Sequence, residues 1–283
     1  MKLLITDIDN TLYDWFAFFT KSFKAMVIEL SYLLNISEEQ LLIEFKEIHQ
    51  RYGCTEQPFA ILELPSVKKH FGSLSRLELM HKLDRPLYAF NSTRKKHLKL
   101  YDTVQPTLDI LKNNDIRIVG YTESIMENSL FRLCKLDLIT YLDRLYVLEG
   151  CYPGHPDPNK EYDLKLPDGF IKVVPRAERK PDPHLLLDIC HHETVPVKDV
   201  LYVGDSLTRD VPMATLAEIT SIWARYGTRL DTSYWPLLLS ISHWTDEETA
   251  REDELKKKHA HLQPDYIIDS FNELLPIIGI ISE

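Results

Sequence analysis

Two aspartates stand two residues apart near the N-terminus, in Asp7-Ile8-Asp9-Asn10-Thr11. They follow Leu3-Leu4-Ile5, a short apolar run of the kind that forms a strand covered on both faces. A turn directly after Asp7 lets both carboxylates face one crevice. One ionised carboxylate can attack phosphorus. A second can give a proton to the leaving oxygen and later take one from water. Taken alone, the same residues also suit an acidic strand-to-loop turn. Three later positions add to the pair. Thr122 ends the run IRIVGY and offers a hydroxyl for a phosphate oxygen, or a cap for the next helix. Lys180, in RKPDPH, can neutralise a phosphoryl group, although a Lys before a Pro-rich helix start is often only a surface residue. Gly204-Asp205-Ser206-Leu207-Thr208-Arg209-Asp210 follows VLYV. There Asp205 is a hard oxygen ligand suited to Mg²⁺, and Asp210 can orient the metal's waters or pair with Lys180.

These residues need a scaffold that brings distant strand ends together. Apolar runs at Lys2 to Asp7, Ile116 to Tyr121, Arg144 to Leu148, Val200 to Val203, Ile219 to Ala224 and Tyr266 to Ile268 read as strands. Helical patterns at 105–113, 125–136 and 183–192 alternate with them. Strand alternating with helix predicts an α/β fold: a Rossmann-like, doubly wound parallel sheet with its ligand crevice at the C-terminal strand ends. From Trp15 to His97 the pattern is helical only. Phe16, Phe19, Phe23, Met26, Val27 and Leu30 form an apolar face, expected to be core. Ser37-Glu38-Glu39-Gln40 has the form of a capping box, and 75–82 and 92–101 suggest further helical pieces. Segment 149–178 suggests a loop carrying a small hairpin, from its KEYDLKL and FIKVVP runs. The charge run in 230–263 reads as a solvated helix face.

In order and spacing, DIDNT, Thr122, Lys180 and GDSLTRD resemble the four motifs of the haloacid dehalogenase superfamily. The resemblance covers residues 1–13 and 101–283, which it makes an α/β core. Residues 14–100 resemble the family's helical C1-type cap, with Tyr13-Asp14-Trp15 as hinge. The resemblance implies that Asp7 forms a phospho-aspartyl intermediate and Asp9 is the general acid/base. It implies that Mg²⁺ is held by Asp7, the backbone carbonyl of Asp9, and Asp205. Thr11, Thr122, Glu123 and Lys180 are the expected substrate contacts, with Asp210 supporting. Asn10 stands where Gly is frequent and Glu123 where Asn or Gly is usual.

The bulk properties narrow the partners. A net charge of −10 over 283 residues argues against a nucleic-acid polymer or a membrane surface as partner. Four scattered cysteines form no CxxC pair, and the N-terminus lacks a leader pattern, which suggests reduced thiols in the cytoplasm. The expected activity is Mg²⁺-dependent hydrolysis of a small phosphorylated metabolite. A nucleoside 5′-monophosphate is one candidate, with Phe16, Phe19 or Tyr13 stacking on the base. A sugar phosphate or a phosphoglycolate-like acid is the alternative. A metal-independent dehalogenase needs neither Asp9 nor Asp205, and a non-catalytic binding protein needs neither acid nor nucleophile.

Overall fold

A computed structural model describes residues 1–160 and 165–280. Seven parallel strands form one sheet: β1 (Leu3–Thr6), β2 (Arg117–Thr122), β3 (Arg144–Leu148), β4 (Ile171–Val174), β5 (Val200–Gly204), β6 (Thr220–Ala224) and β7 (Tyr266–Ile268). Their order is β4-β3-β2-β1-β5-β6-β7. The chain builds outward from β1 through β4, then crosses to β1's other side and builds outward again. β1 and β5 therefore flank the point where the winding reverses, and a doubly wound sheet opens its crevice there.

Alternation on β1 separates two cores. Leu3 and Ile5 face one side with Val119 and Tyr202, under α8 (Pro183–His192) and α9 (Asp210–Leu216). Leu4 faces the other with Ile118, Leu145 and Leu201. This second core runs without a break into α1 (Trp15–Leu34), α2 (Glu38–Tyr52), α3 (Pro65–Phe71), α4 (Arg76–Lys82) and α5 (Asp84–His97), all inserted between β1 and β2. Asp14 starts α1 by accepting from the Ala17 amide at 2.8 Å. Phe16, Phe19 and Phe23 are buried as expected. α2 begins at Ser37, which accepts from the Gln40 amide at 3.3 Å, but only this half of the capping box forms. The Gln40 side chain turns instead to Glu44. α5 begins well before the residue 92 suggested by its pattern. Pro86 falls in its first turn, where no backbone N–H is required. The two chain crossings between insert and sheet lie side by side, bridged at Tyr13 and Leu100.

α6 (Val104–Asn113) and α7 (Met126–Lys135) flank β2. The run FIKVVP makes no hairpin with KEYDLKL in the described residues: it forms β4, paired in parallel with β3, and residues 161–164 lie outside the described residues. Bonds from the Leu145 amide to Phe170 O and from the Glu149 amide to Val174 O, both 2.8 Å, carry that pairing beyond the strand. An open parallel edge beside β3 offers a longer ladder than a local turn.

The tail holds α10 (Trp235–Ile241), α11 (Asp246–His259) and α12 (Leu274–Ile277). α11 is solvated on most of its surface, as its charge run suggests. α10 packs against α1 and α2 of the insert, with Trp235 stacked on Phe16. Buried His49, whose pKa burial pushes down to about 4, is neutral and donates from Nδ1 to Ile241 O at 2.7 Å.

Candidate active site

The strand ends converge as the sequence predicts. The Asp7 amide donates to Val203 O on β5 at 2.8 Å, which fixes the turn after β1. Asn10 then takes the left-handed conformation, φ 57°, that an Asn tolerates where Gly is frequent. One Asp7 oxygen accepts from the Thr11 hydroxyl at 2.9 Å, and the other accepts from Lys180 Nζ. Thr11 is fully buried, so its observed role is to orient Asp7. Lys180 follows β4 and precedes α8, whose N-cap Asp182 accepts from the His184 amide at 3.0 Å. Its ammonium also meets Asp210 at 2.7 Å and lies over the rings of Tyr121 and Tyr202. Asp210 accepts in addition from Tyr202 Oη at 2.6 Å and the Ser206 amide at 2.9 Å. Gly204 makes this approach possible, because a Cβ there would stand 2.4 Å from the Asp210 carboxyl carbon.

Asp7, Asp205 and Asp210 bring one carboxylate oxygen each to within 4.8 Å of one another. Crowding acids away from water is costly unless a cation offsets it. Burial pushes the Asp7 carboxyl up to about 7; Lys180 pulls it down, and Asp210 and Asp9 push it further up. Asp205 is held well above the usual carboxylate range by burial, then by Asp7 and Asp210. Burial opposes the charge on Lys180, but Asp210 and Asp7 outweigh it and hold its pKa well above the ordinary value. One ammonium thus faces three carboxylates. That imbalance, with hard oxygen donors at two strand ends, fits a divalent cation such as Mg²⁺. Asp210 already meets three protein donors, Tyr202, Lys180 and the Ser206 amide, against two at Asp7, so Asp7 and Asp205 are the freer pair.

Asp9 belongs to a different network. Its side chain accepts from Tyr13 Oη at 2.6 Å and from the Thr122 hydroxyl at 3.2 Å, and it pairs with Arg132 at 3.3 Å. The Thr122 hydroxyl also accepts from the Ser124 amide at 3.0 Å, so it both caps the loop and holds Asp9. Burial pushes the Tyr13 phenol well above its ordinary pKa, which keeps it a donor. Arg132, on α7, is fully buried. It donates to Tyr13 Oη at 2.6 Å, to Ser124 Oγ at 2.7 Å, and to Glu56 of the insert. Glu56 accepts from Trp15 Nε1 at 3.0 Å, and its carbonyl from Asn128 at 2.7 Å. Sequence reasoning missed Arg132 and Glu56. Arg132 left one trace: a charge between Phe131 and Leu133 in a helix with buried Leu130 and Leu133. Glu56 left none.

The unusual Glu123 is used structurally. It accepts from the Lys180 amide at 3.0 Å and pairs with Arg209 at 2.9 Å, tying the loops after β2, β4 and β5. Arg209 and Thr208 are held in turn by Glu252 of α11. The three residues nominated to stack on a base, Phe16, Phe19 and Tyr13, are all buried, so none offers a face to a nucleobase.

The family model for haloacid dehalogenase-like hydrolases matches residues 1–218. The chain belongs to that family. A glyceraldehyde 3-phosphate phosphatase of Methanopyrus kandleri is 22% identical, across 98% of this chain and 97% of that protein. Two solved structures share the fold. A 2-haloacid dehalogenase from Pseudomonas syringae superposes with a TM-score of 0.56 at 16% identity, over 99% and 98% of the two chains. A phosphatase of the family from Thermococcus onnurineus does so at 0.54 and 20%, over the same shares. No helix among the described residues of this hydrolase is long and apolar enough to cross a membrane.

Proposed function

We propose that this hydrolase cleaves a phosphomonoester of a small metabolite, with Asp7 as nucleophile and Mg²⁺ as cofactor. The carrying observation is the buried arrangement of Asp7, oriented by Thr11 and Lys180 beside Asp205. The phosphatase relative from Methanopyrus kandleri supports the same reaction class.

An Asp7 oxygen attacks phosphorus in line, and the bond to the leaving oxygen breaks. Asp9 gives that oxygen a proton. Asp9 then takes a proton from water, whose oxygen attacks the phospho-aspartyl phosphorus, and phosphate departs with Asp7 restored. Lys180 and Thr122 face the transferring phosphoryl group, with Thr11 and Glu123 holding Asp7 and the Lys180 loop. Asp7, Asp205 and the Asp9 carbonyl would hold the magnesium ion, which supplies charge neutralisation when bound. Residues 14–100 act as a cap that excludes water from the crevice. A dehalogenase reading leaves Asp9 and Asp205 without work.

The deciding measurement is phosphate release from an aryl phosphate with Mg²⁺ and with a chelator. Release should require the metal and disappear in Asp7→Asn. Release that persists in that variant overturns the mechanism.

A further inference from the structure

Beside the catalytic cluster lies a cavity of about 300 Å³. It starts at Lys180 and Glu123 and runs between Gly53 of the insert and the tail helix α11. Its charge is opposite to that of the whole chain. Arg176, Arg179, Lys180, Arg209 and Arg251 line it against three carboxylates, Glu123, Glu248 and Glu252. The molecule as a whole carries −10.

Partners account for three of those cations. Lys180 is spent on Asp7 and Asp210. Arg209 is matched by Glu123 and Glu252, and Arg179 by Glu248. Arg176 instead donates to the neutral carbonyls of Tyr52 and Gly53, at 3.1 and 2.8 Å. Gly53 allows that contact, since a Cβ there would stand 2.5 Å from the guanidinium. Arg251 forms no ion pair among those found in the described residues. Two guanidinium groups thus face the cavity outside any ion pair found in the described residues, with Glu252 beside Arg251 already shared with Arg209.

His243 in the same wall registers the field. Its Nδ1 is engaged by the Thr55 hydroxyl at 2.7 Å. Burial pushes its pKa down to about 4; Glu248 pulls it up, and Arg176, Arg179 and Arg209 push it further down. The imidazole is therefore neutral and offsets none of the excess. A partly desolvated pocket with surplus cations is stabilised by an anion, and guanidinium forks suit carboxylate or phosphate oxygens.

We propose that this cavity binds a second anionic group, carboxylate or phosphate, carried on the part of the substrate that leaves with the alcohol. The assignment rests on the phosphomonoesterase reading above. The phosphoryl group being cleaved lies at Asp7, and Lys180, which pairs with Asp7, also lines the cavity. A volume of this size suits a chain of a few carbons. α11, which brings Arg251, lies beyond the residues matched by the family model.

The test compares three esters of similar length: phosphoglycolate, the bisphosphate of ethylene glycol, and ethyl phosphate. In the wild type, kcat/KM for at least one anionic ester should exceed that for ethyl phosphate by about tenfold or more. Which ester leads separates carboxylate from second phosphate. In Arg251→Gln and in Arg176→Gln that ratio should fall about fivefold or more toward unity. Arg251 is exposed, so its variant keeps the fold. A ratio near one in the wild type, or a high ratio unmoved by both variants, overturns the proposal while leaving the phosphatase reading intact. If no ester is hydrolysed, the phosphatase reading fails. The same ratio is then taken from calorimetric binding of the three esters to Asp7→Asn, where equal or absent binding overturns the anion site.

Discussion

Asp7 and Asp9 are two residues apart yet sit in unlike surroundings. Every group that fixes Asp7 comes from the sheet end: Thr11, Lys180 and, through Lys180, Asp210. Asp9 is fixed by Thr122 at the end of β2, by Tyr13, by Arg132 on α7, and through Arg132 by Glu56 of the insert. Asp7, the proposed nucleophile, is set by the core alone. Asp9, the proposed acid/base, is set by core and insert together. On the proposed mechanism, attack on phosphorus is built into the sheet, whereas proton transfer depends on where the insert lies. This division suits a site whose second step must wait for water to be admitted or excluded.

The largest test of the comparison is Lys180→Met. It leaves Asp7 and Asp210 buried without their cation. Losing one partner of a buried pair costs about 3–5 kcal/mol of stability. Activity should fall by about 10²–10³-fold or more, as for loss of a transition-state charge partner. Thermal unfolding and single-turnover kinetics read both effects. Preserved stability would mean that the Asp7 side is less dependent on its own cation than the geometry indicates.

Glu56→Gln probes the other side. It keeps the size of the side chain but removes the charge that holds Arg132. We expect kcat to fall by about 10–100-fold, by analogy with groups that orient a functional residue from behind. KM should move less than about threefold, and burst kinetics should show slowed breakdown of the phospho-aspartyl species. An unchanged kcat would place the insert outside the proton-transfer network and erase the contrast between the two aspartates.

Metal and pH sharpen the contrast further. In metal-free protein the folded state holds a proton on Asp7 up to about pH 7, whereas an unfolded aspartate loses it near pH 3.8. Between these values the folded state binds more protons, so unfolding free energy falls as pH rises. The Tm of metal-free protein should decline from pH 5 to 7.5 for this reason. Mg²⁺, which competes with that proton, should raise Tm more at pH 7.5 than at pH 5. A magnesium shift independent of pH would contradict the protonated Asp7.

The smallest effect is a control within the insert. Ser37→Ala removes the cap that starts α2 and should cost about 1 kcal/mol with kcat unchanged. A loss of kcat would show that the insert's stability itself, and not the Glu56 contact, governs turnover.

Several features were legible because they are local. The strand runs, the apolar face of Phe16 and Phe23, and acids directly after apolar runs depend only on residue type and short spacing. DIDNT, Thr122, Lys180 and GDSLTRD could therefore be placed at strand ends in order, and the structure brings them together. A short strand such as IKVV shows no more than β propensity in sequence; its partner across the sheet decides that β4 pairs in parallel with β3 and forms no hairpin in the described residues. α5 begins at Asp84 and not at residue 92, because Pro86, a breaker in a helix interior, is tolerated in a first turn.

The sequence by itself determined the sheet class, the helical insertion and the identity of the acids and the Lys. Only the tertiary structure decided what each acid faces. Glu56 reaches Arg132 across 76 residues, and Glu252 holds Arg209 across 43. Arg176 and Arg251 meet one cavity only after α11 folds back beside the insert. Periodicity and spacing record which residues share an element. They carry no record of which elements face one another, because that is settled by packing all the apolar faces at once.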